Sequence, residues 1–204
     1  MIRILVAEDH VVARVGVTTI VNMQPDMTVV AEVANGREAV ESYRTHRPDL
    51  ALIDMRMPML SGIEATSEIR AEFPNARIIA LTTYGGDVDI RRALKAGVKA
   101  YLTKDLLQDE MLKAIRAVHN GEQYVPASLA AALVAQGTRP ELSAREMQVL
   151  ELIVRGQGNK QIAYFLNVAE YTVKNHVKRI LKKLEVQDRA QAVSVAIQRG
   201  IIHL

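Results

Sequence analysis

The chain of 204 residues contains no cysteine and no tryptophan, and it has only two phenylalanines. Without cysteine the protein can form neither disulfides nor thiolate metal sites, which suits a reducing cytoplasm. No apolar run approaches the roughly 20 residues that cross a bilayer. The amino terminus also lacks the basic and apolar regions of a signal peptide. We therefore expect a soluble, cytoplasmic protein with no membrane partner and a core of aliphatic side chains.

Charge is distributed unevenly along the chain. Residues 1–120 contain 15 basic and 16 acidic side chains, whereas residues 121–204 contain 11 basic and 7 acidic ones. Five of the basic side chains in the second part are concentrated between Lys174 and Lys183. A nearly neutral first part and a basic second part predict two domains with different partners.

The first part alternates short apolar runs with amphipathic stretches. Strands are predicted at Ile2–Ala7, Met27–Val33, Leu50–Ile53, Arg77–Leu81 and Lys99–Leu102. The helices between and after them are predicted at Val11–Met23, Gly36–His46, Gly62–Glu72, Val88–Ala96 and Gln108–Asn120. Strands separated by helices of this size favour right-handed crossovers and a parallel sheet. We expect an α/β domain over residues 1–120, a doubly wound five-stranded parallel sheet with strand order 2-1-3-4-5.

The second part has no strand pattern and is predicted to be entirely helical. Residues 121–140 form a linker with a short helix at about Ser128–Gln136, and residues 141–204 form a small all-α domain. Its helices are predicted to begin at a capping box, Ser143 with Glu146, and to continue as Asn159–Leu166, Glu170–Leu184 and Arg189–Arg199. A short helix, a tight turn and a basic helix in this order are typical of a DNA-binding helix-turn-helix.

Side chains with acid, hydroxyl or amine groups follow four of the predicted strands. Glu8 and Asp9 follow the first strand, Asp54 the third, Thr82 the fourth and Lys104 the fifth. Because the carboxyl ends of parallel strands meet at one edge of the sheet, we expect these groups to converge. Three adjacent carboxylates repel one another unless a cation neutralises them, and Mg²⁺ takes oxygen ligands. The pattern therefore predicts a site for a divalent cation and phosphate.

Within that site, Asp54 on the central strand is the natural nucleophile, because a carboxylate that attacks a phosphoryl group gives an aspartyl phosphate. Lys104 can pair with the added charge, and Thr82 can donate a hydrogen bond to a phosphoryl oxygen. Each acid taken alone could instead cap a helix, as Asp9 could. A haloacid-dehalogenase-type phosphatase also uses a strand-end aspartate, but it needs a second acid two residues later, where this chain has Arg56. We therefore expect no enzymatic turnover beyond slow hydrolysis of the chain's own acyl phosphate.

The segment Thr172–Leu184 has an apolar face and a basic face. One face carries Val173, Val177, Ile180, Leu181 and Leu184, and the other carries Lys174, Asn175, Lys178 and Lys182. A solvated charged face usually carries both signs, but this segment contains no acid. Lysines near phosphates gain from counterion release, and Lys or Asn at a helix amino end can reach base edges. The pattern favours DNA binding, with a merely solvated helix as the alternative.

These motifs resemble the receiver domain of bacterial two-component response regulators over about residues 1–120. The resemblance rests on Ile2–His10, Asp54–Pro58 with Gly62, Leu81–Thr83 and Tyr101–Lys104. It implies that Asp54 accepts a phosphoryl group from a sensor histidine kinase. It also implies a Mg²⁺ site made of Glu8, Asp9, Asp54 and the main-chain carbonyl of Arg56. Thr82 and Tyr101 would form a switch pair, although Tyr101 taken alone could equally be a half-buried strand aromatic.

The second part resembles the LuxR-type helix-turn-helix, so the whole chain resembles response regulators of the NarL/FixJ group. The motifs are Leu142–Glu146, Gly156–Ala163, Thr172–Val177 and Arg189–Val193. The resemblance implies three residues that face bases, Lys174, Asn175 and Lys178. It implies phosphate contacts for Thr172, Lys160 and Arg179, whereas His176 either touches phosphate or packs at the groove edge. The chain departs from the family pattern at Gly158 and Ala169, which occupy helix caps where Ser or Thr is usual.

The combined resemblance implies a transcription regulator in which phosphorylation changes dimerisation and sequence-specific binding to double-stranded DNA. The partners would be the kinase, DNA and a second copy of the chain in a homodimer. Two alternatives stay open at this point. One is an orphan regulator that binds DNA regardless of phosphorylation, and the other is a receiver that acts only by binding a protein partner.

Overall fold

The structure is a computed structural model that describes residues 1–82, 86–104, 108–126, 140 and 142–202. These residues belong to two compact units, one formed mostly by residues before position 134 and the other mostly by residues after it. The helix predicted at Ser128–Gln136 lies outside the described residues. Among the described helices, none is long and apolar enough to cross a membrane.

The first unit contains a parallel sheet of five strands. They are β1 (Ile2–Ala7), β2 (Met27–Val33), β3 (Leu50–Asp54), β4 (Ile78–Thr82) and β5 (Ala100–Thr103). The strands lie in the order β2-β1-β3-β4-β5, and each neighbouring pair is parallel. This arrangement confirms the predicted sheet and its strand order.

Helices cover both faces of the sheet. They are α1 (Val11–Asn22), α2 (Gly36–His46), α3 (Gly62–Glu72), α4 (Asp87–Ala96) and α5 (Gln108–His119). One apolar cluster joins the sheet to residues of α2, α3 and α4, such as Val40, Ile69 and Ile90. The other joins it to residues of α1 and α5, such as Val21 and Ile115. Every residue of β3 and β4 is buried, which explains why these strands appear in the sequence as continuous apolar runs.

The strand ends differ from the prediction by one residue. Asp54 pairs with Leu81 in the sheet, and Thr82 pairs with Thr103. Asp54 and Thr82 are therefore the last residues of their strands instead of the first residues after them. The difference arises because the hydrogen-bonded ladder continues past the apolar run into the polar residue. As a result, the backbone of both residues is fixed by the sheet.

The regular secondary structure of the second unit consists of α-helices within its described residues. Its helices are α6 (Ala144–Val154), α7 (Asn159–Leu166), α8 (Glu170–Leu184) and α9 (Arg189–Gln198). The capping box predicted at Ser143 and Glu146 opens α6, because each side chain accepts a hydrogen bond from the other's backbone N–H. The core contains Val149, Leu150, Ile153, Ile162, Val173, Ile180, Leu184, Ala192 and Ala196. The predicted small all-α domain after the sheet domain is confirmed.

Candidate functional site

Three carboxylates meet at the carboxyl edge of the sheet. Glu8 and Asp9 lie just beyond β1, and Asp54 ends β3, so the parallel register brings them to one place. One oxygen from each carboxylate lies within 4.8 Å of the other two. Glu8 and Asp54 are buried, whereas Asp9 is exposed. This donor set of oxygens, open to water on the Asp9 side, fits a Mg²⁺ ion that keeps part of its hydration shell.

Lys104 supplies the positive charge of the cluster. Its Nζ lies 2.8 Å from Asp54 Oδ2 and 2.7 Å from the Glu8 carboxylate. Burial opposes ionisation of Lys104, but the hydrogen bonds to Asp54 and Glu8 outweigh it and raise the lysine's pKa. Burial also raises the pKa of Asp54, in spite of the hydrogen bonds from Lys104 and from the Arg56 backbone. The lysine is therefore the charged partner of two carboxylates that solvent reaches poorly.

The loop after β3 is shaped around Asp54. The Arg56 N–H donates to Asp54 Oδ1 over 3.0 Å, and the Met55 N–H donates to the Leu81 carbonyl over 2.9 Å. At Gly62, the first residue of α3, a Cβ atom would lie only 2.0 Å from the Asp54 carbonyl oxygen. Glycine at this position lets α3 start directly against the end of β3. The loop therefore holds the Asp54 carboxylate in one orientation.

The side chain of Arg56 extends toward α4. Its guanidinium lies 3.8 Å from the carboxylate of Asp89, which is buried. This contact was not foreseen, because Asp89 lies on another element and 33 positions away in the chain. The role of the Arg56 carbonyl as a metal ligand stays a prediction.

Thr82 and Tyr101 lie on adjacent strands, and their side chains are hydrogen-bonded to each other. Thr82 is buried and Tyr101 is fully buried. The alternative in which Tyr101 is a half-buried strand aromatic is therefore wrong. Burial raises the pKa of Tyr101 to about 12, which keeps its hydroxyl protonated at any physiological pH. The hydrogen bond between them connects the end of β4, close to Asp54, with the second residue of β5.

The basic face predicted in the second unit lies on α8. Val173, Ile180 and Leu184 are buried, whereas the side chains on the opposite face are exposed: Lys174, Asn175, Lys178, Arg179 and Lys182. Lys160 is exposed on α7, and Thr172 is half-buried. The structure thus places all the predicted DNA contacts on two adjacent helices of one unit, with their charges directed to solvent.

His176 and Lys174 have surroundings that the sequence pattern did not show. His176 is half-buried and its Nδ1 atom is enclosed, so it packs against the helices at least as much as it faces solvent. Lys174 Nζ lies 3.1 Å from Glu170 Oε1. Glu170 is an acid two residues before the acid-free segment Thr172–Leu184. Exposed pairs of this kind contribute about 0–1 kcal/mol, so Lys174 can exchange Glu170 for a phosphate or a base.

Two contacts from α6 hold the other helices of the helix-turn-helix, one to the basic helix α8 and one to α7. Lys183 Nζ lies 2.7 Å from Glu146 Oε2, and the Glu146 side chain is almost completely buried. Arg145 also donates to the carbonyl oxygen of Leu166 at the end of α7 over 2.7 Å. Burial opposes ionisation of Glu146, but Lys183 and Ser143 outweigh it and lower the pKa of the carboxyl. These contacts fix α7 and α8 relative to α6 within the unit.

The departure at Ala169 leaves the start of α8 without a side-chain cap. Ala169 has the extended backbone of an N-cap residue, with φ −68° and ψ 145°, but its methyl group cannot accept a hydrogen bond. At Gly158, the other departure, the Gln161 side chain accepts from the glycine N–H over 2.7 Å. Serine at position 169 could accept from the first-turn amides of α8.

Replacing Ala169 by serine is therefore expected to stabilise the isolated carboxyl-terminal domain, residues 141–204, by about 1 kcal/mol. For a domain of this size the melting temperature would rise by roughly 4–8 °C, which calorimetry can measure. The matched control is Ser143→Ala at the cap of α6, which removes an existing cap and should lower the melting temperature. An unchanged or lower value for Ala169→Ser would mean that α8 begins at another residue.

The similarity to known proteins extends over both units. Residues 4–116 match the family described as response regulator receiver domain, and residues 140–196 match bacterial regulatory proteins of the luxR family. The response regulator protein VraR of Staphylococcus saprophyticus is 37% identical over 98% of this chain and 99% of its own length. The uncharacterised transcriptional regulatory protein YxjL of Bacillus subtilis is 37% identical over 98% and 97%. The crystal structure of the response regulator ChrA, from a heme-sensing two-component system, matches with 34% identity, a TM-score of 0.59 and 98% of each chain covered.

Proposed function

Because the chain belongs to the two-component response regulators that join a receiver domain to a LuxR-type DNA-binding domain, we propose that phosphorylation of Asp54 controls its binding to double-stranded DNA. The chain is thus a regulator of transcription and not an enzyme of the usual kind. The single observation that carries the proposal is the cluster in which Asp54, Glu8 and Lys104 meet at the sheet edge. We assign the receiver to residues 1–120, the linker to 121–140 and the DNA-binding domain to 141–204.

The carboxylates of Glu8, Asp9 and Asp54, with the main-chain carbonyl of Arg56, would hold Mg²⁺. Oxygen ligands alone, two of them on buried side chains, are the donor set that this cation prefers. The bound ion would neutralise charge on the phosphoryl oxygens. Asp9, the exposed member, is placed where a metal with its remaining waters would enter.

In the phosphoryl transfer, an Asp54 carboxylate oxygen attacks the phosphorus atom of a phosphohistidine on the sensor kinase. The new O–P bond forms as the N–P bond breaks, and the kinase histidine leaves as the neutral imidazole after taking up a proton. The Arg56 N–H holds Oδ1 of Asp54 in position for this reaction. Slow hydrolysis of the acyl phosphate would return the carboxylate and release inorganic phosphate.

The added charge at Asp54 provides the switch. The phosphoryl group carries about −1.5 to −2 charges in place of the single charge of the Asp54 carboxylate, which gives Lys104 a stronger partner than the Glu8 carboxylate. Thr82 would donate its hydroxyl to a phosphoryl oxygen, and Tyr101, whose hydroxyl is bonded to Thr82, would follow that movement inside the sheet. We propose that this rearrangement promotes homodimers whose two recognition helices fit paired half-sites on DNA.

In the DNA complex, Lys174, Asn175 and Lys178 of α8 would reach base edges in the major groove. Thr172, Lys160 and Arg179 would contact phosphates, and His176 would pack at the groove edge. The basic charge of residues 121–204 supports this assignment, because phosphate contacts dominate the affinity for DNA.

The experiment that tests DNA binding is a salt titration of affinity for sequence-selected double-stranded DNA. We expect Lys178→Ala to weaken binding by about 5- to 150-fold if the lysine contacts a base, and to reduce the salt slope if it contacts a phosphate. Lys113→Ala is the matched control, because Lys113 is an exposed lysine of α5 that pairs with Glu110. Equal affinities for the wild type and both variants would contradict the contact assigned to Lys178. Absence of salt-dependent DNA binding by the wild type would favour a receiver that acts only through a protein partner.

A further inference from the structure

Tyr171 is an aromatic residue at the amino end of the basic helix. It is the second residue of α8, and 74% of its surface is exposed. Residues 171, 174 and 178 recur at helical spacing, so Tyr171 begins the same face that continues with Lys174 and Lys178. The buried residues Val173 and Ile180 lie on the other side of the helix.

The surroundings of Tyr171 give it no structural role. Within the described part of the chain, its ring neither stacks on another aromatic ring nor hydrogen-bonds through its hydroxyl. Tyr164, also highly exposed among the described tyrosines, differs because its ring centroid lies 6.0 Å from that of Phe165. A large apolar surface is exposed to water here, at the start of a recognition helix. Covering it with a ligand would be favourable, because apolar area would be removed from water.

The chemistry of the major groove identifies what can cover the ring. Residues at the amino end of a recognition helix contact base edges, and the base edges there present donors, acceptors and one apolar group. That apolar group is the C5-methyl of thymine. The lysines and the asparagine on the same face are suited to hydrogen-bonding, whereas Tyr171 presents a large exposed apolar ring.

We propose that the ring of Tyr171 packs on the C5-methyl group of a thymine and makes that base pair part of the recognised sequence. This inference rests on the proposed DNA binding and adds a specificity residue that the motif pattern did not include. The ring makes the contact, so the hydroxyl group is dispensable for it. Lys174 and Lys178, one and two turns further along α8, then face the neighbouring base pairs.

The test selects preferred sequences from random double-stranded DNA with the full chain and with three variants. Tyr171→Ala removes the ring, Tyr171→Phe keeps it, and Tyr164→Ala is the control at the other exposed tyrosine. We expect the Tyr171→Ala selection alone to lose the preference for thymine at one position of each half-site. The thermal transition of each variant is measured as well, and we expect it to equal that of the wild type because the changes are at the surface.

A second measurement isolates the methyl group. In the selected site, deoxyuridine replaces thymidine at that position, which removes only the C5-methyl. We expect the wild type and Tyr171→Phe to lose affinity about fourfold, the loss expected for one buried methyl group, and Tyr171→Ala to lose none.

The outcomes separate this inference from the proposed function. If the wild type selects a sequence but Tyr171→Ala selects the same thymines, the tyrosine contact is wrong and DNA binding stands. The same holds if deoxyuridine weakens the wild type and Tyr171→Ala equally, or weakens neither. If the wild type selects no sequence at all, sequence-specific DNA binding fails and the tyrosine contact fails with it.

Discussion

Asp54→Ala is expected to abolish covalent labelling of the chain by acetyl phosphate or by a phosphorylated histidine kinase. The carboxylate of Asp54 is the proposed nucleophile, since it ends the central strand and the Arg56 N–H holds its Oδ1 atom. Glu8 and Asp9 are assigned to the metal instead. Labelling is measured by the shift of the phosphorylated chain in a phosphate-affinity gel. We expect the signal of the variant to fall to background.

Two further variants make this result specific. Asp109→Ala changes an exposed acid of α5 and should leave the labelling unchanged. Asp54→Asn keeps the size of the side chain and should also abolish labelling. Undiminished labelling of either Asp54 variant would show that the phosphoryl group is attached elsewhere.

We expect Asp54→Asn to stay folded, because burial makes the ionised form of Asp54 less favourable in the folded chain. Burial raises the pKa of Asp54, so the folded chain binds this proton more tightly than the unfolded chain does. Ionisation of Asp54 therefore lowers the free energy of unfolding as the pH rises through that pKa. At lower pH the carboxyl is protonated and this destabilisation is absent. In the absence of Mg²⁺ we expect Asp54→Asn to be at least as stable as the wild type at neutral pH.

The second large effect is expected from Lys104→Ala. The lysine is the cation within hydrogen-bond distance of two buried carboxylates, and its own side chain is only 19% exposed. Removing one partner of a buried ion pair costs about 3–5 kcal/mol, and partial exposure reduces this to about 2–3 kcal/mol here. Chemical denaturation of the receiver domain in the absence of Mg²⁺ would measure the loss.

Mg²⁺ should restore part of the stability that Lys104→Ala loses. The ion brings positive charge to the same carboxylates, so it should raise the free energy of unfolding more in the variant than in the wild type. Lys113→Ala, at an exposed lysine paired with Glu110, is the control and should change stability by less than about 0.5 kcal/mol. A Lys104→Ala variant as stable as the wild type without Mg²⁺ would contradict the charge balance proposed for the site.

The fold and the members of the site were accessible from the sequence because both depend on local patterns. Continuous apolar runs identify strands that are covered on both faces, as β3 and β4 are. The parallel topology then determines that Asp54, Glu8 and Lys104 meet at one edge of the sheet. The capping box at Ser143 is likewise local, since the cap and its partner Glu146 lie three residues apart.

Features that depend on tertiary packing were not accessible in the same way. The ion pair of Arg56 with Asp89 joins a loop to a helix across a distance that no spacing rule covers. The complete burial of Tyr101 depends on how α4 and the neighbouring strand cover the edge strand β5. Tyr171 lies outside the pattern of charged and polar residues by which the sequence of α8 indicates DNA binding, so that pattern does not identify it.

Phosphorylation of Asp54 is proposed to control the DNA-binding half of the chain. The most direct test is footprinting on the selected DNA with and without acetyl phosphate and Mg²⁺, together with the oligomeric state of the same samples. We predict that phosphorylation strengthens protection of the DNA and produces dimers in the wild type, and that Asp54→Ala shows neither change. Equal affinity and an equal oligomeric state of the wild type under both conditions would contradict the claim and identify a regulator that binds DNA regardless of phosphorylation.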